Sequence, residues 1–253
     1  MKILLIGDII SPAIYNINLN ENRLFKNISL VISTGDLPFD YYDFIVSNLN
    51  VPLFYVFGNH TNPEDEKIEY FTNLDNKVKK FNNILIAGLE GSRRYNRGAH
   101  QYTENEMKFK ILRLAPKLYY NKLRYGRYLD ILVTHAPPYG FGIKTDPCHR
   151  GFNAYLDFIE KYKPKYLIHG HIHIYDRNAY KIRSYKGTKI INAYNYRIIN
   201  IFSVRLIYPL SVRDTIFSIR TPQSPSIYIP GSMVNTVFFI SLKSLFSLNT
   251  GNS

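Results

Sequence analysis

A single cysteine, Cys148, is present in the 253 residues, so no disulfide can form within the chain and none staples the fold. No apolar run reaches the roughly 18 residues that a membrane span needs. Met1 and Lys2 lead directly into Ile3–Gly7, a run too short for a signal peptide, and the sequence reads as cytoplasmic. Acidic residues are scarce, 19 against 32 Lys and Arg, which leaves a net charge of +13 and would favour acidic partners such as nucleic acid. Yet the basic residues form no tight cluster of five or more, and Lys, Asn, Ile, Tyr and Phe are all abundant, as biased codon usage would make them. The basicity is therefore read first as composition. Apolar residues at 45% and charged residues at 20% exclude a disordered or collagen-like chain, and the length suffices for one sizeable core.

The composition shifts near residue 203. Residues 1–202 contain six serines and residues 203–253 contain ten, and the latter segment has no Glu, which marks a boundary between a body and an atypical tail. Pro222, Pro225, Pro230 and Gly231 punctuate the tail ahead of the apolar stretch Met233–Leu248, and poor order is expected there.

The body reads as α/β, with a two-layer mixed β-sandwich flanked by helices as the expected architecture. Strands are expected at Ile3–Ile6, Leu30–Ser33, Leu53–Phe57, Ile84–Gly88, Ile131–Thr134, Tyr166–Ile168, Arg183–Tyr185, Lys189–Asn192 and Tyr196–Ile201. Amphipathic spacing predicts helices over Tyr41–Leu49, Thr103–Leu114 and Phe152–Tyr162.

Chemistry gathers where five of those strands end. Gly7 and Asp8 follow the first, Thr34, Gly35 and Asp36 the second, Gly58, Asn59 and His60 the third, His135 the fifth, and His169, Gly170, His171, Ile172 and His173 the sixth. Ligands collect at the carboxyl ends of strands in open α/β sheets, so this order brings two Asp, one Asn and several His to one crevice. Oxygen and imidazole donors of that mix suit divalent Mn, Fe, Co or Zn, and the lack of clustered Cys argues against a structural thiolate zinc site.

These residues resemble the motifs of the calcineurin-like metallophosphoesterases: Asp-x-His, Gly-Asp, Gly-Asn-His, a lone His and Gly-His-x-His, over about residues 1–202. Thr134 to Pro138, Pro164 to Tyr166 and Gly170 to His173 look similar to the branch near class III cyclic-nucleotide phosphodiesterases. The resemblance implies two divalent metal ions, manganese first, with Asp8 and His173 on one, Asp36 bridging, and Asn59, His135 and His171 on the other. It implies hydrolysis of a phosphomonoester or phosphodiester by metal-activated hydroxide, with His60 as the catalytic acid beside the phosphate.

One position departs from the pattern: where the family has His two residues after the first Asp, this chain has Ile10, so the first metal is expected to bind weakly. Water or a loop residue such as His149 would have to complete that site. Arg93, Arg94, His100, His149 and Arg150 are the candidate contacts to a small phosphorylated substrate, because Arg offers a planar fork for phosphate. Two alternatives follow from the same residues: a nuclease using the basic body on DNA or RNA, and a non-catalytic regulatory protein that keeps the fold but lost a ligand at Ile10.

Overall fold

A computed structural model describes residues 1–15, 19, 21–60, 71–142, 146, 148–173 and 182–201, all within the unit Met1–Arg205. The expectation for the tail, 203–253, falls outside the described residues. In chain order the elements are β1 (Lys2–Gly7), α1 (Pro12–Tyr15), β2 (Ile28–Ser33), α2 (Phe39–Leu49), β3 (Leu53–Tyr55), β4 (Thr72–Asn73), β5 (Val78–Phe81), β6 (Ile84–Leu89), β7 (Ser92–Arg93) and β8 (Gln101–Tyr102). After them come α3 (Glu104–Tyr125), β9 (Ile131–Thr134), α4 (Asn153–Tyr162), β10 (Tyr166–His169), β11 (Arg183–Tyr185), β12 (Thr188–Asn192) and β13 (Asn195–Asn200).

Two mixed sheets carry the fold. The first runs β13-β1-β2-β3-β4, parallel except for β13; the second runs β11-β12-β10-β9-β6-β5, parallel in its middle and antiparallel at both edges. Alternation along the strands decides which residues go where, because successive side chains leave opposite faces of a strand. Ile3 and Leu5 of β1, Leu30 and Ile32 of β2, Ile84 and Ile86 of β6, and Ile131 and Val133 of β9 share one buried cluster between the sheets. Their neighbours Leu4, Ile6 and Val31 point the other way, into a cluster with Tyr41, Tyr42 and Ile45 of α2. Leu85, Ala87 and Leu132 likewise turn outward to meet Met107, Leu114 and Leu118 of α3 and Tyr155 and Phe158 of α4. The layers are thus helix, sheet, sheet, helix, and the apolar-on-both-faces strands are what the unbroken Ile/Leu/Val runs specify.

The nine expected strands are present, with ends displaced by a residue or two. Helix α3 is longer than its amphipathic spacing predicts. Its 22 residues pass through Pro116 instead of stopping at Leu114. Pro116 sits on the exposed face, while Leu114, Leu118 and Asn121 are buried on the inner face and hold both halves in line. The helix ends where Gly126 takes φ 72°, a left-handed conformation that costs glycine little. Strands β4, β7 and β8 are two residues each, too short to leave a periodic signal, and β5 has a polar centre, Lys79 and Lys80, that faces solvent at the sheet edge.

Candidate active site

The parallel strands of both sheets deliver their following residues to one place. Asp8 after β1, Asp36 after β2 and His171 after β10 all have left-handed backbone, with φ of 67°, 58° and 65°. Asp and His tolerate this region better than most side chains. Two glycines make room. A Cβ on Gly58 would lie 1.9 Å from Asp36 Oδ1, and one on Gly170 would lie 2.5 Å from Thr34 Oγ1 and 3.0 Å from Asp8 Oδ2. Only a residue without a side chain lets these carboxylates sit against the neighbouring backbone.

At the centre is His135, fully buried after β9. Its Nδ1–H donates to the Thr34 carbonyl at 2.7 Å, which leaves Nε2 as the lone-pair nitrogen of the neutral ring. That Nε2 lies 3.0 Å from Asn59 Oδ1, 3.1 Å from His171 Nδ1 and 3.3 Å from Asp36 Oδ2. Asp36, His135 and His171 form a group whose ligating atoms lie within 4.8 Å of one another. Asn59 Nδ2 donates to the Tyr95 hydroxyl at 3.2 Å, and this fixes the amide so that its oxygen faces the cluster. Asp36 Oδ1 accepts from the backbone N–H of His60 at 2.9 Å, and Asp8 Oδ1 accepts from the backbone N–H of His171 at 2.8 Å.

Four lone-pair donors pointed at one another call for a positive charge between them. Burial opposes charging His135, but Asp36, Asp8 and the Thr34 carbonyl outweigh it and push its pKa up to about 9. Burial also opposes charge on Asp36, yet His135 and the His60 N–H hold its carboxyl below the usual range. His171, desolvated and beside His135, is driven down to about 2 and stays neutral with a lone pair to offer. A divalent cation would meet the same need as the proton on His135, so the donor set fits a metal. Asp8 adds to the fit: its Oδ2 is buried without a hydrogen-bond partner, and burial pushes its carboxyl up to about 6.

The sequence matches the family model of the calcineurin-like phosphoesterases over residues 1–175, more than half the chain. The chain belongs to that family. One solved crystal structure superposes on this phosphoesterase family member with a TM-score of 0.53, at 13% identity over 78% of this chain and 94% of the other. The protein TT1561 of Thermus thermophilus does so with a TM-score of 0.50, at 12% identity over 77% of this chain and 89% of that one. At such identities the likeness is one of fold. The comparison with curated proteins returns no match.

Of the residues the motifs name, Asp36, Asn59, His135 and His171 come together, with Asp8 beside them. His173 does not join that group among the described residues; it is exposed and stacks on Tyr194, with ring centroids 5.0 Å apart. Ile10 is 45% exposed. His60 is exposed beside Asn59. His169 is buried, and burial lowers its pKa to about 4, so it is a neutral wedge behind the site whose Nδ1 faces the Gly170 carbonyl at 3.0 Å.

The candidate substrate contacts divide. Arg93 and Arg94 are each 2.9 Å from a carboxylate in the first turns of α3, Glu104 and Glu106. His100 stacks on Phe57 and lies 3.3 Å from Glu90. His149 stacks on the His171 ring with centroids 4.5 Å apart and bonds Asp146. Arg150 follows it in the same half-buried turn. Two residues at the site were not foreseen. Tyr95 sets the Asn59 amide, and Cys148 places its Sγ 3.2 Å and its carbonyl 3.3 Å from His171 Nε2, which fixes the face that His171 turns toward His135. Burial pushes the Cys148 thiol up to about 11, so it acts there as a neutral group.

Proposed function

We propose that the protein is a metal-dependent phosphoester hydrolase acting on a small phosphorylated substrate. A phosphodiester is the first class to test, given the motif likeness to the class III cyclic-nucleotide phosphodiesterase branch. One observation carries the reading: the donor atoms of Asp36, Asn59, His135 and His171 converge within hydrogen-bond distance of His135 Nε2, in a chain of the calcineurin-like phosphoesterase family. In this reading those four residues would hold one divalent cation, manganese first. Asp8, Asp36 and His173 would hold the other less firmly, because Ile10 offers no donor. Bound there, the cations supply neutralisation of phosphoryl oxygens and acidification of water. The protein does the rest: Tyr95 and Thr34 lock the donor atoms of Asn59 and His135 inward, the His60 N–H steadies Asp36, and the exposed His60 imidazole hands a proton to the leaving oxygen. The test is hydrolysis of aryl phosphomonoesters and phosphodiesters by protein stripped with chelator and then reloaded. Activity that returns with Mn supports the reading, and hydrolysis indifferent to chelation refutes it.

Restoring the missing donor makes a sharper case for the Asp8 side. Ile10→His is expected to raise metal stoichiometry toward two per chain and to tighten the weaker binding event by about tenfold or more in titration calorimetry. Unchanged stoichiometry and affinity would show that another group already fills the position.

We also propose that 203–253 is dispensable. The last motif ends at His173, and β13 pairs with the whole of β1 before residue 201, where Ile201 exchanges two 2.8 Å backbone bonds with Met1. A chain ending at Phe202 keeps that pairing, and it is expected to be soluble with the melting temperature and turnover of the full chain; aggregation or lost turnover would contradict this.

A further inference from the structure

Helix α3 has a second apolar face that the fold does not use. Its inner face buries Met107, Leu114, Leu118 and Asn121. On the opposite side, at helical spacing, lie Phe109, Leu112, Pro116, Tyr119, Tyr120 and Leu123, all exposed, with Tyr119 also meeting the Tyr128 and Tyr162 rings edge-on. Leu112 is 64% exposed, Phe109 61% and Leu123 89%, values that solitary surface residues reach but that here form one continuous stripe. Over 22 residues the helix is about 33 Å long at 1.5 Å per residue.

Basic residues border the stripe on both sides. At 100° per residue, Arg113, Lys117 and Arg124 fall along one edge and Lys108 and Lys122 along the other. Several lay their stems over rings with the charge at the rim: Lys117 is 4.8 Å from the Tyr120 ring centroid, and Lys161 of α4 is 5.9 Å from that of Tyr119. The acids of this helix are both at its start and both engaged. Glu104 takes Arg93 and the Ala154 N–H, and Glu106 takes Arg94 and closes the capping box with Thr103. In the same layer, α4 adds Asp157 and Glu160, the latter accepting from the Tyr185 hydroxyl.

We propose that the outer face of α3 docks on an anionic lipid bilayer, lying flat with its Phe, Leu and Tyr side chains in the headgroup region and its two basic rows on the lipid phosphates. An apolar stripe between rows of Lys and Arg is the pattern of an interfacial helix. A second copy of the chain fits poorly, because antiparallel pairing of the two stripes sets Arg113 and Lys117 near their own counterparts. A polynucleotide would satisfy the basic rows but leave Leu112 and Leu123 in water. No helix among the described residues is long and apolar enough to cross a membrane, and docking requires none.

The test is co-sedimentation of the full chain with vesicles of phosphatidylcholine, with and without phosphatidylglycerol, together with two charge-altered variants. Wild type is expected to sediment with the mixed vesicles and much less with pure phosphatidylcholine, and added salt should weaken the binding. Leu112→Glu with Leu123→Glu, and separately Arg113→Glu with Lys117→Glu, should each lower partitioning by more than about tenfold while melting temperature and hydrolysis stay as in wild type. Leu123→Asn, at the most exposed of these positions, serves if a double variant melts early, and it should lower partitioning measurably. Equal sedimentation of the variants would overturn the proposal by locating the binding elsewhere in the chain. So would a wild type that ignores mixed vesicles, whether it self-associates through this stripe, shifts a labelled polynucleotide or does neither.

Discussion

Asp36→Asn and His135→Ala are each expected to lower Mn-dependent hydrolysis by more than about 100-fold, together with loss of one tightly bound metal per chain. The two substitutions fail for different reasons. Asp36→Asn keeps shape and the His60 N–H bond but removes the negative charge that offsets a cation; it also removes the charge that sustains a proton on His135 in its absence. His135→Ala removes the atom on which Asn59, His171 and Asp36 all converge, and it leaves the Thr34 carbonyl without its 2.7 Å donor. A water can fill part of the space in the second variant, so its fold should survive. Because the donors are exchanged between proton and metal, metal affinity should rise with pH up to about 9, where His135 no longer holds a proton to be displaced. Metal titrations at several pH values check this, and flat affinity from about pH 6 to 9 would mean that His135 is not displaced on binding. Full activity in either variant would remove these residues from the chemistry.

Those residues were legible in the chain because each follows a strand whose apolar run is unmistakable, and a strand end in a parallel sheet has a known destination. Asp8, Asp36, Asn59, His135 and His171 are placed by topology, which the sequence order of strands encodes. What was not legible depends on loops. Tyr95 and Cys148 reach the site from segments without periodicity, and nothing in their neighbours' identity says which way a tyrosine or a thiol turns. Arg93 and Arg94 read as free phosphate forks only while Glu104 and Glu106 are ignored. The Thr103-x-x-Glu106 capping box that starts α3 was present in the sequence and, once recognised, sets two acids against that loop. The continuation of α3 beyond Pro116 was hidden for a similar reason: intrinsic propensity ends the helix, and burial of Leu118 and Asn121 overrides it.

Lys110→Met should be among the most destabilising single substitutions in the described fold, costing about 3–5 kcal/mol near neutral pH. The Lys110 ammonium lies 2.9 Å from Asp75 Oδ2 and 3.1 Å from Glu90 Oε1, with side chains 11%, 20% and 10% exposed, and it sits 4.1 Å from the centre of the Tyr102 ring. Tyr102 and His100 approach the same Glu90 carboxylate. Burial pushes Glu90 up, but His100, Lys110 and Tyr102 together hold it at about 2; Asp75 is instead raised, by burial and by the Glu90 charge. In wild type, therefore, Glu90 contributes stability that is present above its ordinary value of 4.5 and is lost as pH falls toward about 2. Methionine fills much the same volume, so the variant leaves little cavity; what it leaves is two buried carboxylates without the ammonium between them, Glu90 still meeting His100 and Tyr102 and Asp75 losing its cation. Asp75, already raised and now without the ammonium that lowered it, has a folded pKa further above its unfolded one, while Glu90 keeps His100 and Tyr102; for Asp75 the sign is reversed, so the variant is weakest at neutral pH and regains stability as acid protonates that carboxylate. Chemical denaturation should show the gap to wild type shrinking by half or more between about pH 7.5 and 5. A gap that stays constant or widens on acidification would mean that Lys110 contributes through packing on Tyr102 and not through charge. The network also braces the strand end at Leu89 against α3 and the loop that carries Tyr95, so Lys110→Met should loosen the amide of Asn59 and raise the metal dissociation constant even where the variant remains folded.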